Sequence, residues 1–366
     1  MNEVSEMTMD TAAHDRDALM ERLLESAVST FNIHAVHLGT QMGFYDVLAE
    51  GPVTVAELAT KTDAHARYVR EWLEHQTVTG VVRVENPDDA PDVRRFMLPE
   101  GHREVLTDRE RLNYLAPLAQ VTVGAVSPLD ALMNAFRKGG GVPYEDYGVH
   151  LLEGQAGMNR AAFLYQLGQE WLPAVPDVHA RLQSEDARIA DVGCGAGWSS
   201  IGMARCYPNA AVDGFDLDTA SVEVAQKNVN EAGLTDRVSM QVRDAGDPAH
   251  TGRYDLVTAL ECVHDMSDPV GALRAMKQLA KADGAVIVMD EKVGDAFSPA
   301  GNEVEPLMYG FSVFHCLPVG MAEHPSVGTG TVMRPDTLRG YAMEAGFDEV
   351  EILPIDTYFF RFYRLR

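Results

Sequence analysis

Residues 189–198 read Ile-Ala-Asp-Val-Gly-Cys-Gly-Ala-Gly-Trp, and this stretch decides the fold. An apolar strand runs into a turn that contains Gly193, Gly195 and Gly197, and a helix is predicted to follow. Asp216 lies nineteen residues after the third glycine, where the next strand is expected to end. A glycine turn followed by a carboxylate at the next strand end is typical of a site for a nucleoside-containing cofactor.

The spacing of the glycines separates the possible cofactors. Dinucleotide-binding folds use G-x-G-x-x-G, in which the backbone and a helix N-terminus hold a pyrophosphate. Here the third glycine comes one residue earlier, and Asp191 stands two residues before the first. A carboxylate there disfavours a pyrophosphate and suits a ligand with an ammonium and a sulfonium, such as S-adenosylmethionine (SAM). The alternative is a glycine turn that only packs a helix on a strand.

Acidic residues follow four successive predicted strands. We expect Asp216 to accept hydrogen bonds from ribose hydroxyls, Leu217 to lie against the adenine, and Asp244 to accept from its amino group. Glu261 ends the fourth strand, whereas Asp213 and Asp218 are interpreted as solvated neighbours. The residues predicted to bind the cofactor are Asp191, Gly193, Cys194, Gly195, Gly197, Asp216, Leu217, Asp244, Ala245 and Glu261.

From Arg188 onward, predicted strands and helices alternate, which indicates a parallel sheet covered by helices on both faces. The predicted strands are 188–192, 211–215, 237–242, 254–260, 285–290, 349–354 and 358–364, and the predicted helices are 197–206, 219–232, 268–281 and 335–345. The last strand follows its predecessor too closely for a parallel crossover, so it should be antiparallel. The fold class is therefore α/β, a Rossmann-like, seven-stranded, doubly wound sheet preceded by a mainly helical winged-helix domain.

The N-terminal region predicts that winged helix. Residues 1–15 are expected to be disordered, and apolar residues recur at helical spacing from Asp17 to Tyr45. Thr54 should cap a short helix, and a second helix over 66–78 should turn Tyr68, Val69, Trp72 and Leu73 inward. Segments 81–84 and 95–98 should form the wing.

Charge disfavours DNA as the partner of this winged helix. Residues 54–110 hold eight Lys and Arg against twelve Asp and Glu, a net of −4, which is the wrong sign for neutralising phosphates. The whole chain carries a formal net charge of −25, which also disfavours anionic membranes. We expect a homodimer formed through long apolar N-terminal helices instead.

Length and composition set further limits. A chain of 366 residues suits two domains. Its four cysteines are scattered, which is expected in a reducing compartment, and their spacing does not match a zinc motif. The first residues are acidic and polar, unlike a signal peptide, and no apolar run is long enough to span a bilayer. The expected location is the cytoplasm.

Residues 261–268 read Glu-Cys-Val-His-Asp-Met-Ser-Asp. This segment resembles the H-D-W-S-D motif of the small-molecule O-methyltransferases of the plant phenolic and hydroxyindole type, with Met266 in place of the tryptophan. The resemblance implies that His264 is the general base and that a carboxylate after the fifth strand, Asp290 or Glu291, orients it. The other interpretation is a histidine that only packs or contacts the cofactor. No metal is expected.

The resemblance extends from about Phe31 to Arg366 and includes Pro-Tyr-Glu-Asp-Tyr-Gly at 143–148. It implies a class I SAM-dependent methyltransferase that O-methylates a hydroxylated, aromatic or otherwise apolar metabolite of secondary metabolism and releases S-adenosylhomocysteine (SAH). The alternatives are N- or C-methylation of a small molecule, for which His264 need only position the acceptor, and a SAM-responsive winged-helix regulator.

An apolar, aromatic insertion over 297–333 sits where an acceptor is expected to dock. The residues predicted to bind the acceptor are Tyr144, Tyr147, Met158, Phe163, Trp171, Met308, Phe311 and His315, although ordinary core packing explains each of them singly. Glu170 is a candidate to contact the cofactor's ammonium or the acceptor, or a surface residue. The predicted domains are a disordered terminus (1–15), a winged-helix dimerisation domain (16–110), linking helices that cover the active site (111–184) and a SAM-binding domain (185–366).

Overall fold

The computed structural model describes residues 2–244 and 250–366, with side chains from residue 11 onward. The chain forms two compact units, residues 1–123 and 124–366. Residues 111–123, which the sequence assigns to the linking helices, belong to the first of them. Among the described residues, no helix is long and apolar enough to cross a membrane.

The first unit is a helical domain with a two-stranded wing. Its elements are α1 (Asn2–Gln41), α2 (Phe44–Glu50), α3 (Val55–Lys61), α4 (Ala66–Val78), β1 (Arg83–Val84), β2 (Phe96–Met97), α5 (Glu100–Leu106) and α6 (Ala116–Ala125), whose last two residues belong to the second unit. The strands β1 and β2 pair antiparallel, as predicted for the wing. The predicted cap is also present: Thr54 Oγ1 accepts from the Glu57 N–H, and the Glu57 carboxylate accepts from the Thr54 N–H.

Helix α1 differs from the expected helix at both ends. It includes residues 11–15, for which the sequence predicts disorder. These residues are helical because Ala18 and Leu19, which follow them, continue a helix-favouring composition. It ends at Gln41, before the predicted end at Tyr45. Gly43 adopts a left-handed conformation (φ 67°), and α2 begins at Phe44.

The core of this unit lies between α1, α2 and α4. Trp72 packs edge-on against Phe44 and Tyr45, and its Nε1 donates to the Ala35 carbonyl at 2.9 Å. Leu73 and Val69 are buried as predicted, but Tyr68 is 78% exposed. Tyr68 was wrongly assigned to the inner face, because it lies next to Val69 on a helix whose buried stripe is narrow.

The second unit combines five long helices with shorter helical segments and one sheet. The helical elements are α7 (Leu129–Lys138), a 3₁₀ turn (Tyr144–Tyr147), α8 (Gly148–Ala162), a π-helical segment (Phe163–Trp171), α9 (Pro176–Leu182), α10 (Trp198–Cys206), α11 (Thr219–Glu231), a 3₁₀ turn (Val263–Asp265), α12 (Pro269–Leu279), α13 (Glu305–Phe311), a second π-helical segment (Ser312–Cys316), α14 (Leu317–Gly320) and α15 (Pro335–Glu344). The strands are β3 (Arg188–Val192), β4 (Ala211–Asp216), β5 (Val238–Val242), β6 (Tyr254–Leu260), β7 (Ala280–Glu291), β8 (Val350–Ile352) and β9 (Phe360–Leu365).

The sheet has seven strands in the order β5-β4-β3-β6-β7-β9-β8. Strands β3 to β7 are mutually parallel, and β9 runs antiparallel to both β7 and β8. The predicted doubly wound sheet with an antiparallel last strand is confirmed. Its chain order reverses between β3 and β6, so the carboxyl ends of these strands form the crevice in which such folds bind ligands.

Side chains of β3 alternate between two apolar cores. Ile189 packs with α9, α10 and the first π-helical segment, whereas Ala190 and Val192 pack with α12 and α15 on the other face. Burial on both faces explains the continuous apolar run that precedes the glycine turn.

Candidate active site

The glycine turn follows β3 at the topological switch point. Gly193, Gly195 and Gly197 all have positive φ angles, 68°, 49° and 79°. A Cβ on Gly193 would lie 2.6 Å from Cys262 Sγ, and one on Gly197 would lie 2.9 Å from Met240 Cε. Apart from its chain neighbours, no atom of the described residues lies within 4 Å of a Cβ built on Gly195. The outer two glycines therefore permit close packing, and the middle one leaves an open face.

Asp191 does not face that opening. It is 1% exposed, and its carboxylate accepts hydrogen bonds from Ser199 Oγ and Ser200 Oγ, both at 2.6 Å, and from Thr258 Oγ1 at 2.9 Å. Burial raises the pKa of Asp191, although the three hydroxyls oppose this shift. The expectation that Asp191 attracts a ligand's ammonium needs correction: the carboxylate is occupied inside the protein and fixes the start of α10.

Asp216 closes the turn from the neighbouring strand. Its Oδ2 accepts from the Gly195 N–H at 2.9 Å, and its Oδ1 accepts from the Asp218 N–H at 2.9 Å. The carboxylate is half-buried, which raises its pKa, and Leu217 beside it is 68% exposed. A part-open carboxylate next to an exposed leucine suits a ribose and an adenine.

The neighbouring acids have other roles. Asp213, expected to be solvated, is buried, pairs with Arg188 at 2.5 Å and accepts from Tyr254 Oη at 2.9 Å. Asp218 caps α11 by accepting from the Ser221 N–H at 2.7 Å. Both functions are structural, and a capping carboxylate is the ordinary use of an acid before a helix.

The third strand end is less informative. Asp244 is exposed after β5, and Ala245, also predicted to bind the cofactor, lies outside the described residues. Cys194 is buried in the core under the turn, where a Cβ on Gly214 would lie 3.0 Å from its Sγ. A side chain in that position packs the turn, so any cofactor contact of Cys194 must come from its backbone.

Glu261 ends β6 with an uncommon backbone. Its φ of 59° is positive, although it is not a glycine, and such strain is concentrated at functional sites. Asn159 Nδ2, from α8, donates to the Glu261 carboxyl group. Burial, followed by the charge of Glu291, raises the pKa of Glu261 to about 8. Asn159 lies next to Met158, which the sequence assigns to the acceptor site, but is not itself among the predicted site residues.

His264 is 2% exposed and is surrounded by carboxylates. Its Nδ1 lies 2.9 Å from Asp290 Oδ1 and 3.2 Å from Glu291 Oε2, and its Nε2 lies 3.2 Å from Asp265 Oδ1. Burial lowers the pKa of His264, but the three negative charges outweigh this effect and raise it well above its usual range. The sequence left the choice between Asp290 and Glu291 open, and both lie within reach of Nδ1.

The predicted acceptor residues fall into two groups. Tyr144, Tyr147 and His315 come together: the imidazole of His315 meets the tyrosine rings edge-on, at centroid distances of 5.8 and 4.9 Å. Tyr144 Oη donates to Gln155, and Tyr147 Oη donates to the Phe314 carbonyl. Burial lowers the pKa of His315, with Asp265 opposing this and His264 adding to it, so its imidazole is neutral.

The other predicted acceptor residues are not all in this group. Phe163 and Trp171 belong to the main apolar core, and the ring of Trp171 packs 5.1 Å from that of Phe362. Met308 packs with Val293 and Val304 in a separate cluster. For these three, core packing explains the pattern. Met158 and Phe311 are half-buried, and Glu170 is exposed and accepts from Gln166 within its own helix.

Comparisons with known proteins identify both domains of the chain. Residues 183–313 match the family model described as a methyltransferase domain, and residues 32–108 match an Rv2258c-like winged HTH domain. A ubiquinone biosynthesis O-methyltransferase of Nitrosospira multiformis is 32% identical over 186 residues, which cover 48% of this chain and 68% of that protein. Other curated relatives are matched over smaller shares of their length.

Solved structures share the fold across both units. The mitomycin 7-O-methyltransferase MmcR superposes with a TM-score of 0.69 at 18% identity, over 97% of this chain and 99% of that one. Human N-acetylserotonin methyltransferase in complex with SAM superposes with a TM-score of 0.63 at 19% identity, over 95% and 97%. The chain belongs to the class I SAM-dependent methyltransferases, and its cofactor is SAM.

Proposed function

We propose that this methyltransferase transfers the methyl group of SAM to a hydroxyl of a small aromatic or otherwise apolar metabolite of secondary metabolism, and releases SAH. The observation that supports this most directly is the hydrogen bond between His264 Nδ1 and Asp290 Oδ1, buried at the carboxyl ends of β6 and β7. A histidine held in this way is suited to taking a proton, which a hydroxyl acceptor must lose as it is methylated.

The cofactor lies over the open face of the glycine turn in this proposal. Gly195 gives it room, Asp216 holds the ribose, Leu217 covers the adenine, and Asp244 faces the adenine amino group. Glu261 lies towards the methionine end, because the next residue, Cys262, packs against Gly193. The protein supplies position, since the sulfonium is already an activated methyl donor.

His264 is the proposed base. Asp290 holds the Nδ1 proton, so Nε2 is the nitrogen that accepts the substrate proton, and because the pKa of His264 is raised, Nε2 must first lose its own proton. Asp265 lies 3.2 Å from that Nε2, so its carboxylate must move aside before the acceptor hydroxyl can reach the nitrogen. As the new O–CH₃ bond forms and the S–CH₃ bond breaks, the hydroxyl proton passes to Nε2 and the electron pair remains on sulfur.

The acceptor is proposed to lie against Tyr144, Tyr147 and His315. Burial keeps both tyrosines protonated by raising their pKa values, and it keeps His315 neutral. A neutral wall with two aromatic rings favours an apolar, planar acceptor. Met158 and Phe311 are the half-buried residues that remain candidates to extend this wall.

The test begins by finding the acceptor. The enzyme is incubated with a small-molecule extract and an equal mixture of ordinary and methyl-deuterated SAM, and products appear as mass doublets. A His264→Ala variant that binds SAH like the wild type but loses turnover supports the base role. Near-wild-type turnover of that variant overturns it. A doublet on nitrogen or carbon replaces O-methylation by the corresponding reaction, for which His264 need only position the acceptor.

We also propose that the enzyme is a cytoplasmic homodimer joined through α1 and the rest of residues 16–110. Among the described side chains of α1, seven large apolar residues are at least half exposed: Leu19, Met20, Leu23, Leu24, Val28, Phe31 and Leu38. An apolar face of this length is normally covered by a partner. Light scattering should give twice the chain mass for the wild type and a smaller mass for Leu24→Glu/Phe31→Glu. Salt-sensitive binding to duplex DNA would favour the regulator instead.

A further inference from the structure

Four acidic side chains surround one imidazole at the ends of β6 and β7. We name Glu261, Asp265, Asp290 and Glu291 the carboxyl cluster. Three of them lie 2.9 to 3.2 Å from a nitrogen of His264. The fourth, Glu261, accepts a hydrogen bond from Asn159 of α8. The cluster is assembled from three elements and is not an accident of one acidic segment.

The carboxyl cluster has more acids than its own cation can balance. If all four carboxyls were ionised, the imidazolium of His264 would leave three negative charges without a partner. Lys292 follows Glu291 directly in the chain, but its ammonium pairs with Asp356 at 3.0 Å. Among the described residues, Asp290 Oδ2 is buried without a hydrogen-bond donor, and Glu291 Oε2 lies 3.2 Å from the His264 Nδ1 that already donates to Asp290 Oδ1. Buried negative charge must be neutralised either by protons or by a cation.

In the free protein, protons serve this purpose. Glu261 is subject to the charges of Glu291 on β7 and of His264 and Asp265 on the 3₁₀ turn, besides the hydrogen bond from Asn159. Burial is the largest effect, and it raises the pKa of Glu261 to about 8. Burial also raises the pKa of Glu291, against the charge of His264. Because these groups interact, their protons belong to the cluster as a whole.

In the proposed placement of the cofactor, Glu261 lies towards the methionine end, so the cluster would lie beside the cofactor's positive charge. Glu261 is held in its strained conformation at the end of β6, and Cys262 Sγ lies 2.6 Å from the position of a Cβ on Gly193. SAM differs from SAH by a methyl group and the positive charge on sulfur. A cluster of protonated and ionised carboxyls at this position can respond to that charge, whereas a neutral wall cannot.

We propose that binding of SAM displaces one proton from the carboxyl cluster, with Glu261 as the group that ionises, so that the site recognises the sulfonium charge and prefers SAM to the uncharged product. The O–H bond of the Glu261 carboxyl breaks, the proton passes to solvent, and the carboxylate faces the cation. SAH brings no such charge and leaves the proton in place. The proposal rests on the cofactor assignment, and it does not depend on the identity of the acceptor or on the role of His264.

The pH dependence of the affinity for SAM follows from the protonation of Glu261 in the free protein and its ionisation in the complex. Below about pH 8 the free protein must give up the proton before SAM binds well, so affinity for SAM falls as pH falls. The expected slope is about tenfold in Kd for each pH unit below 8, down to the pKa of Glu261 in the complex. Above pH 8 the affinity levels off. The Kd of SAH should show no such slope.

The experiment is isothermal titration calorimetry of the full chain with SAM and with SAH, near pH 7, in phosphate and in Tris. These buffers differ in ionisation enthalpy, so the difference in heat counts the protons released. A chelator in every solution excludes trace metals. Release of close to one more proton with SAM than with SAH is the expected result. Equal counts for the two ligands overturn the proposal, while binding of both still supports the cofactor assignment.

The Glu261→Gln variant tests whether Glu261 is the group that releases the proton. This variant keeps a side chain of similar size but cannot ionise, so where it still binds both ligands it should lose the additional proton release with SAM. Unchanged release in the variant would move the proton to another group and refute the assignment to Glu261. If the variant does not bind SAH, the wild-type ratio of the two Kd values from pH 6 to 9 decides, because a constant ratio refutes the proposal. When the variant is compared with the wild type for the same ligand, proton release from the free ligand's amino group is the same in both and cancels.

Discussion

Gly195 gives the sharpest test of where the cofactor lies. Its φ of 49° is left-handed, and in the part of the chain that the structure describes only its own chain neighbours come within 4 Å of a Cβ built on it. Alanine in the left-handed region costs about 1–2 kcal/mol of folding stability. That strain is present with and without ligand, so it does not itself change affinity. The added methyl group, however, points into the space assigned to SAM, and we expect Gly195→Ala to weaken SAM and SAH binding at least about tenfold, which is 1.4 kcal/mol.

Gly193→Ala is the matched control. It has the same backbone strain (φ 68°), but its Cβ would lie 2.6 Å from Cys262 Sγ and 3.0 Å from Cys262 Cβ. Overpacking of this kind adds about 1–3 kcal/mol, so Gly193→Ala should lose more stability than Gly195→Ala. Adding Cys262→Ala to the Gly193→Ala variant should restore part of the lost folding stability. Urea unfolding measures the stabilities and calorimetry the affinities. If Gly195→Ala binds SAH within about twofold of the wild type, the cofactor does not pass over this glycine and the placement is wrong.

Three other predictions concern the base, the cap and metals. Asp290→Asn should lower kcat by about 10²-fold or more, because His264 loses the carboxylate on Nδ1. SAH, which carries no sulfonium, should bind to this variant as it does to the wild type. A kcat within about twofold of the wild type would show that Asp290 has no part in the mechanism. Thr54→Ala should destabilise the winged-helix unit by about 1 kcal/mol in urea unfolding, because it removes one half of the capping box, whereas Thr60→Ala, on the exposed side of the same helix, should have less effect. Turnover should be the same after dialysis against EDTA, and restoration of a lost rate by a divalent metal would contradict the prediction of a metal-free enzyme.

The sheet was predictable because its signals are local in the chain. The strands β3 to β7 contain short apolar runs before a turn or an acid, and the predicted strands agree with the observed ones in order. Their bounds agree to within two residues, except that β7 begins at Ala280, five residues before the predicted start and within the predicted helix 268–281. The antiparallel last strand followed from chain length alone, since the few residues between β8 and β9 cannot make a crossover. Thr54 and the helix over 66–78 were predictable for the same reason.

Roles that depend on distant partners were not predictable. Asp191 looked like a ligand for an ammonium because its own segment does not show the hydroxyls of Ser199, Ser200 and Thr258 that occupy it. Asp213 looked solvated because Arg188 and Tyr254 lie on neighbouring strands. In both cases a carboxylate next to a functional turn proved to hold the protein together.

The cofactor half of the active site is built from residues that are near one another in the chain, and the acceptor half from residues that are far apart. This difference affects specificity. The surface assigned to the cofactor comes mainly from the consecutive ends of β3 and β4, where Gly195 donates to Asp216. The proposed acceptor wall joins a 3₁₀ turn to a π-helical segment, with Tyr144 and Tyr147 against His315. A π-helical segment inserts an extra residue into a helical turn and re-aims the side chains that follow, so small changes in sequence there can reshape the wall without moving β3 or β4. Such an arrangement lets the acceptor change while the cofactor site stays constant. It explains why the family identifies the cofactor, whereas the acceptor must be found by experiment.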